Sequence, residues 1–262
     1  MGTDDGDLVV ASHPEPTGGR PSEGPLSHSD EGPRDLVTYY RLRAAEYDDV
    51  YNKPERQVDI ALLGSRLAHL FSGRRVLEVA AGTGYWTAFY AQAVELVTAT
   101  DINSSVLDIA RDRQAWPGTV TFHYADAFDL DSVPGAFDAA FVGFLWSHIS
   151  LSMLDAFLLG LSQRLGPSAL VVLADNRYVE GSNHPITRRD AEGNTYQHRL
   201  LADGSSWEVL KNFPALTELA ARLSRFGSEV AVEELTYYWL ASFRTPSAET
   251  YGVQPARVSP EP

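Results

Sequence analysis

Apolar residues along this chain recur with two different periods, and the periods take turns. Between Asp35 and Tyr51 the spacing is helical, with many Tyr and Arg residues. A second helix begins near Asn52 with Pro54 in its first turn, where a missing amide costs nothing. It carries Ile60, Leu63, Leu67 and Leu70 along one face until Gly73 ends it. Arg75–Ala80 then reads as a strand, followed by a loop of small residues and a helix over Tyr85–Ala93. The same beat continues with strand Leu96–Thr100, helix Ser104–Arg113, and strands Thr119–Tyr124 and Phe137–Gly143. A further helix turns Leu154, Phe157, Leu158, Leu161 and Leu165 inward and stops at Gly166-Pro167. Ala169–Ala174 is apolar throughout, as in a strand covered on both faces. Strands and helices alternating in this way predict a parallel sheet with helices on both sides.

After Ala174 the rhythm changes. Thr195–Leu201 and Ser206–Leu210 flank Asp203-Gly204, a hairpin turn signal. A helix over Pro214–Phe226 is closed by Gly227, and Glu229–Glu234 and Tyr237–Phe243 are rich in Val, Tyr and Trp, as a terminal antiparallel pair should be. Residues 1–33 mix Gly, Pro, Ser, Asp and Glu with almost no large apolar side chain, which predicts a disordered tail. Residues 246–262 read as a flexible tail for the same reason. One domain is expected between them, over residues 34–245.

Acids outnumber bases 35 to 21, a formal charge of −14. Binding a nucleic acid rests on cations displacing counterions from phosphates, so this balance argues against a nucleic-acid partner and against anionic membranes. The chain has no cysteine, hence no disulfide and no thiolate nucleophile or ligand, which suits a cytoplasmic protein. Leu8-Val9-Val10-Ala11 is too short an apolar run for a signal segment or a membrane span.

The candidate chemistry centres on Val76-Leu77-Glu78-Val79-Ala80-Ala81-Gly82-Thr83-Gly84, a strand running into a glycine loop and then a helix. Glycines there let a ligand approach the backbone without a Cβ clash. Glu78, inside the strand, would oppose phosphates but could position a cationic amino-acid ligand. Asp101 ends the next strand, where a carboxylate can accept from two ribose hydroxyls. Asp126, within Ala125-Asp126-Ala127-Phe128, ends the third, where an acid can accept from an adenine amino group.

In this order and at these strand ends, Glu78-to-Gly84, Asp101 and Asp126 resemble the cofactor motifs of the class I S-adenosylmethionine-dependent methyltransferases, over about Asp35 to Thr245. The resemblance implies a Rossmann-like α/β fold: a seven-stranded, mostly parallel sheet with an antiparallel last strand and helices on both faces. It implies S-adenosylmethionine as cofactor, its methionine part beside Glu78, Ala80, Gly82 and Gly84, its ribose on Asp101, and its adenine against Ile102, Asp126, Ala127 and Phe128. Ala80 stands where the family usually has glycine. A nicotinamide-binding fingerprint would want a third glycine where Thr87 stands.

Residues 34–53 resemble the helical lid that closes over the cofactor in many small-molecule methyltransferases. Tyr40 or Tyr47 could face the sulfonium and Arg43 the cofactor carboxylate; an amphipathic helix packed on the sheet would look the same. Phe144 falls where the family lines the methyl end, and His148 lies just beyond the fourth strand. A hydroxyl acceptor must lose a proton, and histidine is poised for that near neutral pH, so His148 is the candidate general base. Asp175-Asn176 ends the fifth strand. In catechol-type O-methyltransferases such a pair helps hold magnesium, but the fourth strand offers Gly143 where those enzymes supply an aspartate, so a divalent metal is not favoured. With Tyr47, Asp175 and Asn176, Arg177 belongs to the expected substrate pocket. An insertion over residues 177–212, including His184, Arg188, Arg189 and the hairpin, is expected to cap it. The expected activity is methyl transfer to a hydroxyl oxygen of a small polar metabolite. N-methylation, an NAD-dependent oxidoreductase and a non-catalytic cofactor-binding protein stay open, as does a homodimer.

Overall fold

Alternation along each strand sends successive side chains to opposite faces. In β1 (Arg75–Val79), Leu77 and Val79 join one apolar cluster and Val76 the other. In β4 (Ala139–Gly143), Ala140 and Val142 go to the first, Ala139 and Phe141 to the second. The computed structural model describes residues 33–113 and 116–247. The expectations for residues 1–32 and 248–262 lie outside them.

Helix α1 (Pro33–Leu42) is followed by 3-10 turns at Ala44–Tyr51 and Pro54–Arg56 and then by α2 (Gln57–Phe71). After β1 come α3 (Thr87–Tyr90), β2 (Leu96–Asp101), α4 (Ser104–Asp112) and β3 (Val120–Tyr124). Beyond β4 lie α5 (Leu154–Arg164), β5 (Leu170–Asn176), β6 (Ile186–Arg189), β7 (Thr195–Leu200) and β8 (Ser206–Leu210). The described chain ends with α6 (Leu216–Leu223), β9 (Ser228–Glu234) and β10 (Tyr238–Arg244).

The main sheet has seven strands in the order β3-β2-β1-β4-β5-β10-β9. Strands β1 to β5 pair in parallel, and β10 pairs antiparallel with both β5 and β9, so the last strand runs against the other six. Side chains of α5 and α6, such as Phe157, Leu161 and Leu219, fill one face. Ile60, Leu63, Leu67 and Phe71 of α2 fill the other. The strand order reverses between β1 and β4, which opens a crevice at the carboxyl ends of those strands, the usual ligand position in open α/β sheets. Strands β6, β7 and β8 form a separate three-stranded sheet. Among the described residues, no helix is long and apolar enough to cross a membrane.

Three elements differ from the sequence reading. The helix expected over Asp35–Tyr51 breaks after Leu42 into a 3-10 stretch, because Asp48 and Tyr51 are drawn to the loop after β1 by bonds to Thr83 and Trp86. The helix expected over Tyr85–Ala93 contracts to α3 as its aromatic residues spread to different partners. Tyr85 stacks on Tyr51, Trp86 on Phe144, and Tyr90 bonds Glu78. Strand β6 lies inside the expected cap and has no buried face, so it carries no alternation to read. Its pairing with β7 makes it a strand.

Candidate functional site

The loop after β1 turns through left-handed conformations at Ala80 (φ 57°), Gly82 (φ 57°) and Gly84 (φ 73°). Ala80 therefore adopts there a backbone that glycine would accept more readily. The Gly82 amide donates to Asp101 Oδ2 at 2.9 Å and the Asn103 amide to Oδ1 at 2.8 Å. Burial pushes the Asp101 carboxyl up, against these N–H donors. The Glu78 Oε2 accepts from Thr87 Oγ1 at 2.7 Å and Tyr90 Oη at 2.6 Å, and burial pushes its pKa up to about 7. Its carboxyl thus braces β1 against α3. Asp126 is exposed and accepts the Phe128 amide at 2.9 Å. Phe128 itself is 48% exposed, and Ile102 and Ala127 are half-buried at the neighbouring strand ends. Phe144, at the end of β4, also holds a positive φ of 60° and stacks on Trp86.

The 3-10 stretch Ala44–Tyr51 is tied to these strand ends at several points. Thr83 Oγ1 donates to Asp48 at 2.6 Å, and Arg113 pairs with Asp48 while donating to the Thr83 carbonyl at 3.0 Å. The Tyr47 ring lies 3.4 Å from where a Cβ on Gly82 would stand. Tyr51 accepts from Trp86 Nε1 at 3.0 Å and stacks on Tyr85 with ring centroids 4.0 Å apart.

His148 sits in the turn just past β4, with Nδ1 2.7 Å from the Leu210 carbonyl. A carbonyl only accepts, so Nδ1 carries the proton and Nε2 the lone pair. The Tyr40 hydroxyl donates to Nε2 at 2.6 Å. Lys211 Nζ lies 2.6 Å from Ser147 Oγ, 3.3 Å from Asp175 Oδ1 and 3.4 Å from His148 Nε2. Burial, reinforced by the Lys211 charge, holds the His148 imidazole well below its ordinary pKa, in its neutral form. Burial would raise the Asp175 carboxyl, but Lys211, His148 and the amides of Ser147 and Asn176 hold it below the usual range.

A cavity of about 120 Å³ opens here. Of the residues expected at the site, it brings together Tyr40, Arg43, Tyr47, Phe144, His148 and Asn176, with Asp175 one bond behind through Lys211. It does not gather Arg177, whose guanidinium donates to the Leu235 and Thr236 carbonyls and pairs with Glu234, since the turn after β9 offers three acceptors close by. Arg188 and Arg189 likewise lie away from it, Arg188 paired with Glu208 and Arg189 bonded to the Gly193 carbonyl. His184 does line the cavity. Sequence reasoning missed Lys53, Arg56, Arg199 and Lys211, which also line it. Lys211 is the one basic residue between Trp207 and Leu216, and that was the available signal for it. Asp175 faces the Lys211 ammonium, and among the described residues no three His, Cys, Asp or Glu side chains gather at metal-binding range.

Residues 76–168 match a family described as a methyltransferase domain. The chain is 38% identical over 73 residues to a demethylmenaquinone methyltransferase of Clavibacter sepedonicus, a match spanning 28% of this chain and 30% of that protein. It is 27% identical over 204 residues to a malonyl-[acyl-carrier protein] O-methyltransferase of Serratia marcescens, spanning 71% and 75%. Among solved structures, the DhpI-SAM-HEP complex superposes with a TM-score of 0.66 at 29% identity, covering 80% of this chain and 95% of that one. Residues 76–168 are thus a methyltransferase domain, and the fold is the Rossmann-like one of the class I S-adenosylmethionine-dependent methyltransferases. The strand-end crevice of this methyltransferase fits the cofactor chemically. The Asp101 carboxylate meets the Gly82, Asn103 and Ile102 amides and, with two acceptor positions on each oxygen, keeps capacity for a ribose hydroxyl. Exposed Asp126 and Phe128 offer a polar edge and an apolar face of the kind adenine needs.

Proposed function

We propose that this methyltransferase O-methylates a small polar acceptor, with His148 as the base that takes the hydroxyl proton. The observation that carries this reading is the state of His148: neutral, its Nε2 lone pair turned to the cavity beside Tyr40. The cofactor, when bound, supplies a methyl group on a positively charged sulfur. Asp101 would hold the ribose, Asp126 would meet the adenine amino group with Ile102, Ala127 and Phe128 beside the ring, and the loop at Ala80, Gly82 and Gly84 would let the methionine part lie close to the backbone. Arg43 would meet the cofactor carboxylate, while Tyr40, Tyr47 and Phe144 would wall the reacting end and exclude water. Asn176, with Asp175 behind it, borders the acceptor.

Methyl transfer needs the two reacting atoms held in line and close, which is the part a rigid cavity supplies. The proton must also go somewhere. An acceptor hydroxyl can displace the Tyr40 hydroxyl from Nε2, or pass its proton through that hydroxyl. The Leu210 carbonyl fixes the ring orientation, and Lys211 keeps the imidazole neutral and ready to accept. A cavity of about 120 Å³ takes a small molecule, and the acid excess of the chain repels polyanions. His148→Gln is expected to lower kcat by roughly 10²- to 10⁴-fold while S-adenosylhomocysteine binds as in the wild type. An unchanged kcat would remove His148 from the reaction.

A further inference from the structure

The cavity beside His148 has a charge opposite to that of the molecule. The whole chain carries 35 acids against 21 bases, yet the cavity is lined by five Lys and Arg side chains, two His and no Asp or Glu. Elsewhere in the fold, arginines find carboxylates: Arg66 with Glu233, Arg188 with Glu208, Arg222 with Asp155. Around the cavity, only Lys211 does so, through Asp175. Arg43, Lys53, Arg56 and Arg199 form no ion pair with a carboxylate among the described residues. Their hydrogen-bond partners are neutral: Tyr39 for Arg43, the Ser182 carbonyl for Lys53, Ser182 and Asn176 for Arg56, and Gln197 for Arg199.

Gathering like charges in a half-buried space is costly unless something negative joins them. Arg56 is 5% exposed, and it shares the space with cations brought by the lid, by the turn before α2 and by β7, so the cluster exists only in the folded chain. His184 registers the same field: desolvation, together with Arg199, Lys53 and Arg43, holds its pKa down to about 4. The cofactor cannot neutralise this cluster. Its carboxylate is balanced by its own ammonium, and the sulfonium adds a further positive charge. One carboxylate occupies Arg43; Lys53 and Arg56 then have only the exposed Glu55 nearby, which reaches Arg56 through the Ser182 hydroxyl, and Arg199 has no carboxylate partner among the described residues.

We propose that the methyl acceptor is an anion, and that a carboxylate or phosphoryl group on it seats among Lys53, Arg56 and Arg199. This rests on the methyltransferase reading above and names the substrate class of that site. Arginine forks suit planar or tetrahedral oxyanions through paired hydrogen bonds, and the same charges draw such acceptors out of a surrounding field that repels them. The anionic group is thereby fixed at one end of the cavity and the reacting oxygen is turned toward His148.

The test is calorimetric titration of the full chain, saturated with S-adenosylhomocysteine, with sodium phosphate and with sodium acetate, each against sodium chloride of equal ionic strength. At least one of the two oxyanions should bind at a single site. Arg199→Gln and Lys53→Gln should each weaken that binding about tenfold with the nucleoside affinity retained. The second variant keeps the test decisive should the first not fold. Phosphate bound at least tenfold more tightly than acetate assigns a phosphoryl group; acetate bound equally or better assigns a carboxylate. If neither gives more heat than chloride while the nucleoside binds normally, the anionic acceptor is ruled out and the methyltransferase reading stands. If the nucleoside itself gives no heat with folded protein, both readings fall together.

Discussion

Glu78 illustrates how one side chain can be visible in a sequence while its partners within the fold are not. A carboxylate four residues before a glycine loop suggests ligand contact, and its Oε2 also meets two hydroxyls, on Thr87 and Tyr90, from the helix on the other side of the loop. With its pKa near 7 rather than the ordinary carboxylate value, the protonated form is the one the folded state prefers. The stabilisation is therefore complete below about pH 4.5, shrinks as the pH rises toward 7 and is gone above that, a change of about 3 kcal/mol. Glu78→Gln, which cannot ionise, should flatten this decline between urea unfolding curves at pH 5 and pH 8. An unaltered pH dependence in the variant would mean that Glu78 is ionised in the fold. Gly82, Asp101 and His148 could be singled out one by one, because each stands next to a strand end that the sequence pattern marks. Lys211, Arg56 and Arg199 were not, because only folding brings the turn before α2, strand β7 and the segment after β8 to one cavity.

Strands and helices with a buried face announced themselves by period, and their order along the chain was correct from β1 to β10 apart from β6. What the periods could not show is where tertiary contacts override local preference. The 3-10 stretch at Ala44–Tyr51 follows bonds to a loop more than 30 residues away, and β6 has every side chain exposed. The end of the sheet depends on a single small residue. A Cβ at Gly227 would fall inside the contact distance of the Arg244 carbonyl oxygen and against the Phe243 ring. Backbone cannot swing aside as a side chain can, so Gly227→Ala must shift β9 against β10. A loss of about 2 kcal/mol or more in denaturant unfolding is expected. Stability equal to the wild type would show that the β9–β10 contact is looser than described.

At the scale of the molecule, two properties set the function. The reversal of strand order between β1 and β4 opens a crevice at the carboxyl ends of those strands, with the glycine loop after β1 and His148 just past β4, 66 residues apart in sequence. The charge is divided as well, with acids dominating the chain and cations the cavity. The seven-stranded, mostly parallel sheet with its antiparallel last strand was implied by the resemblance, and the acid excess is plain in the composition; the inverted charge of the cavity was in neither, since it is a property of which cations face inward. All of it presupposes that the crevice holds an adenosine joined to an amino acid. Calorimetry of the full chain with S-adenosylhomocysteine measures this directly. A single site, weakened at least about tenfold by Asp101→Ala through loss of the ribose contact, is the predicted result. Intact, folded protein that takes up neither S-adenosylhomocysteine nor S-adenosylmethionine would contradict it.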